Sequence, residues 1–235
     1  MSAITVKPLE TIDCGLAEYN KILDLQMKLQ EQRRSDQIPD TVLIVEHPPV
    51  ITLGAHRTAN RFVANEELIR TKNIDIVQTR RGGGITAHNP GQIVFYPILN
   101  LFKLHLGITE YISRLEKVGQ TILERIGVKS ESRKGYPGLW AGGKKIASIG
   151  VRVSKGISCH GMAININNDL SIFDLFVPCG LEGVKMTSVL KETGKEFSMA
   201  DVKHKLAHIL KEEFCENEQR YTRSEMREAK IAGLA

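Results

Sequence analysis

The stretch Lys145-Ile-Ala-Ser-Ile-Gly-Val-Arg-Val-Ser154, followed by Ser158-Cys-His-Gly-Met-Ala-Ile-Asn-Ile-Asn167, decides the fold class. In the first run Ala147, Ile149, Val151 and Val153 recur at every second position, the period of a strand and not of a helix. The second run alternates as well, and the break at Ser154–Gly156 predicts a hairpin between the two. Upstream, Ile112, Leu115, Val118, Ile122 and Ile126 fall at helical spacing, and Gly127 stands where a helix C′ glycine belongs. Gln92–Leu99 reads as a strand crossed by Pro97, and Thr41–Val45, Val50–Leu53 and Ile74–Gln78 as shorter strands. Leu16, Tyr19, Leu23 and Met27 predict an amphipathic helix over about 13–34. Downstream, Ser198 is placed to cap a helix carrying Val202, Leu206, Ile209 and Leu210. Helices that interrupt runs of strands, without strict βαβ alternation, predict an α+β fold with a mixed or antiparallel sheet.

The chain has 235 residues, the size of one domain. Its 42% hydrophobic and 25% charged residues are those of an ordinary globular protein, and no apolar run approaches the ~18 residues of a membrane span. The formal net charge of +5 suits either an unremarkable solvated surface or an acidic partner. Cys14, Cys159, Cys179 and Cys215 lie far apart without a CxxC, which argues against zinc and against a disulfide framework. A reducing compartment, and by default the cytoplasm, is expected, since the first residues show no signal-peptide core.

Three segments carry the chemistry. Arg80-Arg-Gly-Gly-Gly-Ile-Thr-Ala-His-Asn-Pro-Gly-Gln92 is neither a Walker A loop nor a GxGxxG fingerprint. Its glycines allow a backbone to approach a ligand and offer N–H groups, although a plain glycine turn reads the same way. Ala147, Ser148, Gly150, Gly161 and Ala163 make two neighbouring strands thin, fit either for a groove or for a helix packed close. Cys179 lies in a Pro-Cys-Gly loop, where a thiol is more reactive than in a core if a cation lies near. Cys159 and Cys215 read as packing residues, and His204 and His208 as a helix surface lacking a third metal ligand. His160 and Cys159, adjacent in a strand, are expected on opposite faces.

Together these segments resemble the lipoyl(octanoyl) transferases. The stretch Arg81-Gly-Gly-Gly-Ile-Thr-Ala-His-Asn-Pro-Gly-Gln-Ile-Val-Phe-Tyr96 is similar to that family's signature. Glu46-His-Pro-Pro-Val-Ile-Thr-Leu-Gly54, Lys145-Ile-Ala-Ser-Ile-Gly150, His160-Gly-Met-Ala-Ile-Asn165 and Pro178-Cys-Gly-Leu181 match in order. The match covers about residues 40–190 of what is expected to be one acyltransferase domain over 1–235, with a charged tail after about 216. The resemblance implies the mixed sheet flanked by helices of the biotin and lipoate protein ligases. It implies transfer of an octanoyl group from acyl carrier protein to a lysine of lipoyl domains, in 2-oxoacid dehydrogenase complexes and the glycine cleavage H protein. Cys179 would be the acyl-thioester nucleophile, and Lys145 the residue that activates it. Substrate contacts would come from Arg81, Gly82, Gly83, Gly84, Ile85, Thr86, Ala87 and His88, from Ser148, Ile149 and Gly150, and from Gly161, Met162 and Ala163. No cofactor, metal, nucleic acid or membrane is implied. The alternatives are an ATP-dependent lipoate–protein ligase of the same fold, which uses no cysteine nucleophile, and a non-enzymatic nucleic-acid-binding module, which leaves Cys179 and Lys145 unexplained.

Overall fold

A computed structural model describes residues 9–178 and 183–215. The β-strands are β1 (Glu10–Leu16), β2 (Thr41–Glu46), β3 (Val50–Leu53), β4 (Asp75–Gln78), β5 (Thr86–His88), β6 (Gln92–Ile98), β7 (Glu131–Arg133), β8 (Tyr136–Ala141), β9 (Lys144–Ser154) and β10 (Ile157–Asn165). The helices are α1 (Tyr19–Arg34), α2 (Glu66–Thr71), α3 (Ile108–Arg125), α4 (Val189–Thr193) and α5 (Met199–Cys215). Seven strands form one sheet in the order β1-β2-β6-β10-β9-β8-β7, and three form a second in the order β4-β3-β5. Both are mixed: β1 runs parallel to β2 and β3 parallel to β4, while the other pairs are antiparallel.

Alternation along the strands gives the large sheet two faces. One carries Ile93, Phe95, Ala147, Met162 and Ile164 and packs with Leu115, Val118 and Ile122 of α3 and Val202, Leu206 and Leu210 of α5. The other carries Leu43, Val45, Val94, Tyr96 and Ala163 and is partly covered by Ile22, Leu25 and Leu29 of α1. The small sheet has its own core, Ile51, Ile69, Ile85 and Ala87 against Ile172, Phe173 and Phe176. Gly127, at φ +85°, ends α3 where the sequence placed a C′ glycine. The Ser198 hydroxyl accepts from Asp201 N at 3.3 Å and caps α5. The predicted hairpin is β9–β10, Ser154 pairing with Ile157.

The N-terminal helix is shorter than its apolar spacing predicts. Residues 13–16 belong to β1, and α1 begins at Tyr19. The buried stripe is Tyr19, Ile22, Gln26 and Arg33, whereas Leu16 is 60% exposed and Met27 49%. Two polar side chains occupy the inward face, so the apolar spacing holds at Tyr19 and runs one position out of register at Leu23 and Met27. Among the described residues no helix is long and apolar enough to cross a membrane. The tail after residue 216 lies outside the described residues.

Pro97 stands in a central strand, where it removes a ladder donor. Beside it the Ser158 hydroxyl joins the ladder, Ser158 Oγ donating to Pro97 O at 2.7 Å and accepting from Leu99 N at 2.9 Å. Gly161 follows from the same place, because a Cβ there would lie 2.1 Å from Phe95 O and 2.8 Å from Pro97 Cδ. His160 has φ +59°, in the left-handed region, and its N–H donates to Gln26 Oε1 of α1 at 2.9 Å. Its ring therefore departs from strand alternation.

Candidate active site

Between α1, the small sheet and the large sheet lies a cavity of about 450 Å³, counting its open mouth. Its floor crosses three strands, with Ser148 and Gly150 on β9, Gly161 and Ala163 on β10, and Val94 and Tyr96 on β6. Gly83, Gly84, Thr86 and His88 form the roof, and Tyr19 closes one side. Alternation in β5 explains the roof, since Thr86 and His88 face the cavity while Ile85 and Ala87 are buried in the small core.

Of the described residues proposed from sequence, Arg81, Gly83, Gly84, Thr86, His88, Ser148, Ile149, Gly150, Gly161, Met162 and Ala163 line this cavity, while Gly82, Ile85, Ala87 and Lys145 do not. Gly82 instead straps the loop to β9, its N–H donating to Val151 O at 2.9 Å. The loop is also held by Ala55 N–H on Arg81 O at 2.9 Å and His56 N–H on Gly83 O at 3.1 Å. Gly150 is small because of this loop: a Cβ there would lie 2.9 Å from Gly82 O and 3.1 Å from Arg81 Cδ. Close approach of the protein's own backbone thus accounts for the glycines at 150 and 161. Ala163 alone of these three keeps the reading of a side chain small for the groove.

Arg81 is buried, and its guanidinium donates to Thr52 O at 2.7 Å, Thr52 Oγ1 at 2.8 Å and Gly82 O at 3.2 Å. Its charge helps keep nearby imidazoles neutral. His88 is pushed down to about 3, by burial first and then by His47 and Arg81. His160 goes to about 4, by burial and then by Arg81 and Arg152.

Sequence reasoning missed the wall at the β6 end. Tyr19 stacks on His88 with centroids 5.7 Å apart, and His47 lies 5.6 Å from His88 and 5.9 Å from Tyr96. Hydrogen bonds fix the tautomers. His47 Nδ1 faces Ala17 O at 2.7 Å and must donate, so Nε2 accepts from Tyr96 Oη at 2.9 Å. Burial lowers His47 to about 4, so it is neutral. A relay sets His88. Asn165 Nδ2 donates to Thr187 O at 2.9 Å, its Oδ1 accepts from Gln92 Nε2 at 2.9 Å, and Gln92 Oε1 accepts from His88 Nδ1 at 2.7 Å. His88 Nε2 is therefore a bare acceptor. Glu46-His-Pro-Pro drew notice only as a motif match, and Tyr19 only as a helix-face residue.

Lys145 reaches the cavity side through a break in strand pairing. Ser148 pairs with Gly138 and Ala147 with Leu139, but Trp140 pairs with Lys145, leaving Ile146 without a counterpart. This bulge moves Lys145 off the core face of Ala147 and onto the face of Trp140 and Ser148. Lys145 is only 2% exposed, with Nζ donating to Pro137 O at 3.1 Å and lying 5.4 Å from the Trp140 ring centre. Lys144 points away, its Nζ 2.8 Å from Glu192 Oε1. Lys145 also pairs through its backbone, N–H to Lys185 O at 2.8 Å and O from Thr187 N–H at 2.9 Å. Cys179 lies outside the described residues, between Pro178 and Gly183.

Cys159 sits where a packing residue is expected, and the helix histidines lie on the surface. Cys159 is buried, and burial pushes its thiol up to about 11. His204 and His208 are exposed and face each other at 3.3 Å, and among the described residues no three-ligand metal group exists. The side chain of Cys215 lies outside the described residues. The expected separation of His160 and Cys159 fails: Cys159 Sγ lies 3.6 Å from Gln26 Oε1 of α1, and the left-handed backbone turns His160 to the same side, into the cavity.

Comparison with known proteins speaks to the family and the fold. The family description "Lipoyl protein ligase A/B catalytic domain" matches residues 18–211. The octanoyltransferase of Syntrophobacter fumaroxidans is 42% identical over 205 residues, covering 86% of this chain and 89% of that protein. Among solved structures, the bi-partite lipoate protein ligase of Thermoplasma acidophilum superposes with a TM-score of 0.67 at 14% identity, over 88% of this chain and 82% of that one. The biotin protein ligase of Aquifex aeolicus gives 0.51 at 15%, over 92% and 72%. These two likenesses establish the fold.

Proposed function

The chain belongs to the lipoyl protein ligase A/B catalytic domain family, and from that premise we propose that it transfers an octanoyl group from acyl carrier protein to a lysine of a lipoyl domain. The observation that carries the reading is the buried Lys145 amino group, turned by a bulge to the side of the sheet that floors the cavity. The Cys179 thiolate attacks the carbonyl of the octanoyl thioester, the Lys145 ammonium gives its proton to the departing carrier thiolate and becomes neutral, and the acyl group rests on sulfur. The ε-amine of the acceptor lysine then attacks, and the cysteine thiolate departs. A thioester conserves the acyl activation, so ATP is not consumed. Lys145 favours the thiolate and takes up the proton that the amine loses. The Lys185–Thr187 segment, hydrogen-bonded along Lys145, supports this pairing because it follows closely on Cys179 in the chain.

The cavity residues Arg81, Gly83, Gly84, Thr86, His88, Ser148, Ile149, Gly150, Gly161, Met162 and Ala163 hold the acyl group, with Gly82, Ile85 and Ala87 shaping the roof from behind. Burying seven carbons at ~0.8 kcal/mol each gives about 5 kcal/mol of gross binding. The acceptors are the lipoyl domains of 2-oxoacid dehydrogenase complexes and the glycine cleavage H protein. The basic surplus suits an acidic carrier protein. A cytoplasmic setting, in which thiols stay reduced, suits Cys179.

The test is intact mass after mixing with octanoyl-carrier protein in the absence of ATP. The wild type should gain one octanoyl group that hydroxylamine removes, and Cys159→Ala should gain it as well, whereas Cys179→Ala should not. Labelling that persists in Cys179→Ala overturns the nucleophile, and transfer that requires ATP favours a ligase.

A further inference from the structure

The cavity has a chemical direction that the acyl-transfer reading does not by itself explain. Lys145 Nζ, bonded to Pro137 O, marks the β8–β9 side. The floor then crosses β9, β10 and β6 in order. Strands are spaced about 4.8 Å apart, so β9 to β6 is about 10 Å. With C–C bonds of about 1.5 Å, the seven bonds of an extended octanoyl chain cover about 9 Å. A chain whose carbonyl lies over β9 therefore ends at β6. Ala163 and Val94 offer it carbon on the way.

At β6 the lining changes character. Tyr96 Oη has committed its proton to His47 Nε2 and offers only lone pairs. His88 has committed its proton to Gln92 and offers only the lone pair of Nε2. Both residues line the cavity, and among the described residues no donor reaches either atom. Tyr19, which stacks on His88, lines the same end. In the free protein such acceptors are hydrated. A methyl group pressed against them would displace that water and return no hydrogen bond.

We propose that Tyr96 and His88, with His47 holding Tyr96 from behind, stop the acyl chain by hydrogen-bonding chemistry as well as by shape, so that the site rejects a ninth carbon but accepts a hydroxyl in its place. The inference rests on the transferase reading for the position of the reacting end. It names an extended class of ligand: medium-length acyl chains whose terminus donates a hydrogen bond. A purely steric stop would treat nonanoyl and 8-hydroxyoctanoyl alike, because they have the same length and nearly the same volume. A purely apolar tunnel would prefer nonanoyl.

The experiment compares nonanoyl and 8-hydroxyoctanoyl carrier-protein thioesters as donors, and the two free acids as ligands in calorimetry. Wild type should favour 8-hydroxyoctanoyl at least tenfold in kcat/KM, with the same order in the affinities of the acids. Tyr96→Phe, which removes one of the two acceptors, should bring the ratio down severalfold, whatever its absolute rate. Equal use of the two donors, or preference for nonanoyl, overturns the wall while leaving acyl transfer intact. No transfer from any donor, with the acids still discriminated in the expected order, upholds the wall and removes the transferase reading instead.

Discussion

β9 and β10 are paired along most of their length, yet each breaks period-2 alternation once and in a different way. In β9 the unpaired Ile146 turns Lys145 to the cavity side. In β10 no residue is added; His160 itself adopts φ +59°, beside the gap left by Pro97. A bulge costs little beyond a lost ladder contact, whereas a non-glycine residue in the left-handed region is strained by about 1–2 kcal/mol. The two strands thus deliver polar side chains out of the register that holds the core, one by an insertion and one by strain. The hydrophobic pattern remains continuous across both devices.

The largest effect should come from undoing the bulge. An alanine inserted between Leu139 and Trp140 gives Ile146 a partner and turns Lys145 toward the core face of Leu139 and Ala147. A cationic side chain without a partner in that core should cost about 3–5 kcal/mol. Urea unfolding should show that loss, and octanoyl transfer should fall below detection. Adding Lys145→Leu to the insertion should recover part of the stability and none of the activity, since Trp140 and Ala141 change faces as well. A silent insertion would mean that the bulge does not direct Lys145.

A smaller effect separates the strands by pH. His160 has an ordinary imidazole value near 6.5 in the unfolded chain and about 4 in the folded one. A depressed value means that its contribution is complete above 6.5 and lost as pH falls toward 4. At pH 5 the loss is about 2 kcal/mol, at 1.36 kcal/mol per unit. Unfolding free energies of wild type should decline across that window, and His160→Asn should flatten the decline. His47, lowered to about 4, and His88, lowered to about 3, titrate in the same window, so this variant removes about a third of the slope. An unchanged slope in His160→Asn would contradict the assignment.

The smallest effect is a reversal of strand preference between paired positions. His160 pairs with Val151. At 151 valine should be better than asparagine, as strand propensity says. At 160 the left-handed backbone should make His160→Asn more stable than His160→Val by about 1–2 kcal/mol. Chemical denaturation of the four variants Val151→Asn, Val151→Thr, His160→Asn and His160→Val measures this. The same order at both positions would remove the strain argument.

These breaks also mark where the sequence stopped being legible. Period-2 runs identify β9 and β10 because apolar side chains recur on one face of each, Ala147, Ile149, Val151 and Val153 on one and Met162 and Ile164 on the other. Small residues at 150, 161 and 163 located the floor, although two of the three are small for the backbone's own approach. The strand β1 was hidden because an edge strand with exposed Ile12 and Leu16 leaves no buried period to read. The Tyr19–His47–His88–Tyr96 wall joins α1, the β2–β3 turn, β5 and β6, four places whose proximity is a property of tertiary structure. The motif singles out Lys145, but no propensity scale anticipates the bulge that turns it to the cavity side.

The strand order β1-β2-β6-β10-β9-β8-β7 divides the molecule in time as well as in space. From β7 to β10 each strand pairs with its chain neighbour, so that meander closes only short loops. β6 meets β10 only through distant partners, Phe95 with Met162 and Val94 with Ala163. Contacts of long sequence separation form late because loop closure must precede them. The cavity lies across that seam, with Ser148 and Gly150 on the early side and Val94 and Tyr96 on the late one. Refolding should therefore restore the fluorescence of Trp140, within the meander, before it restores a chamber able to hold a fatty acid.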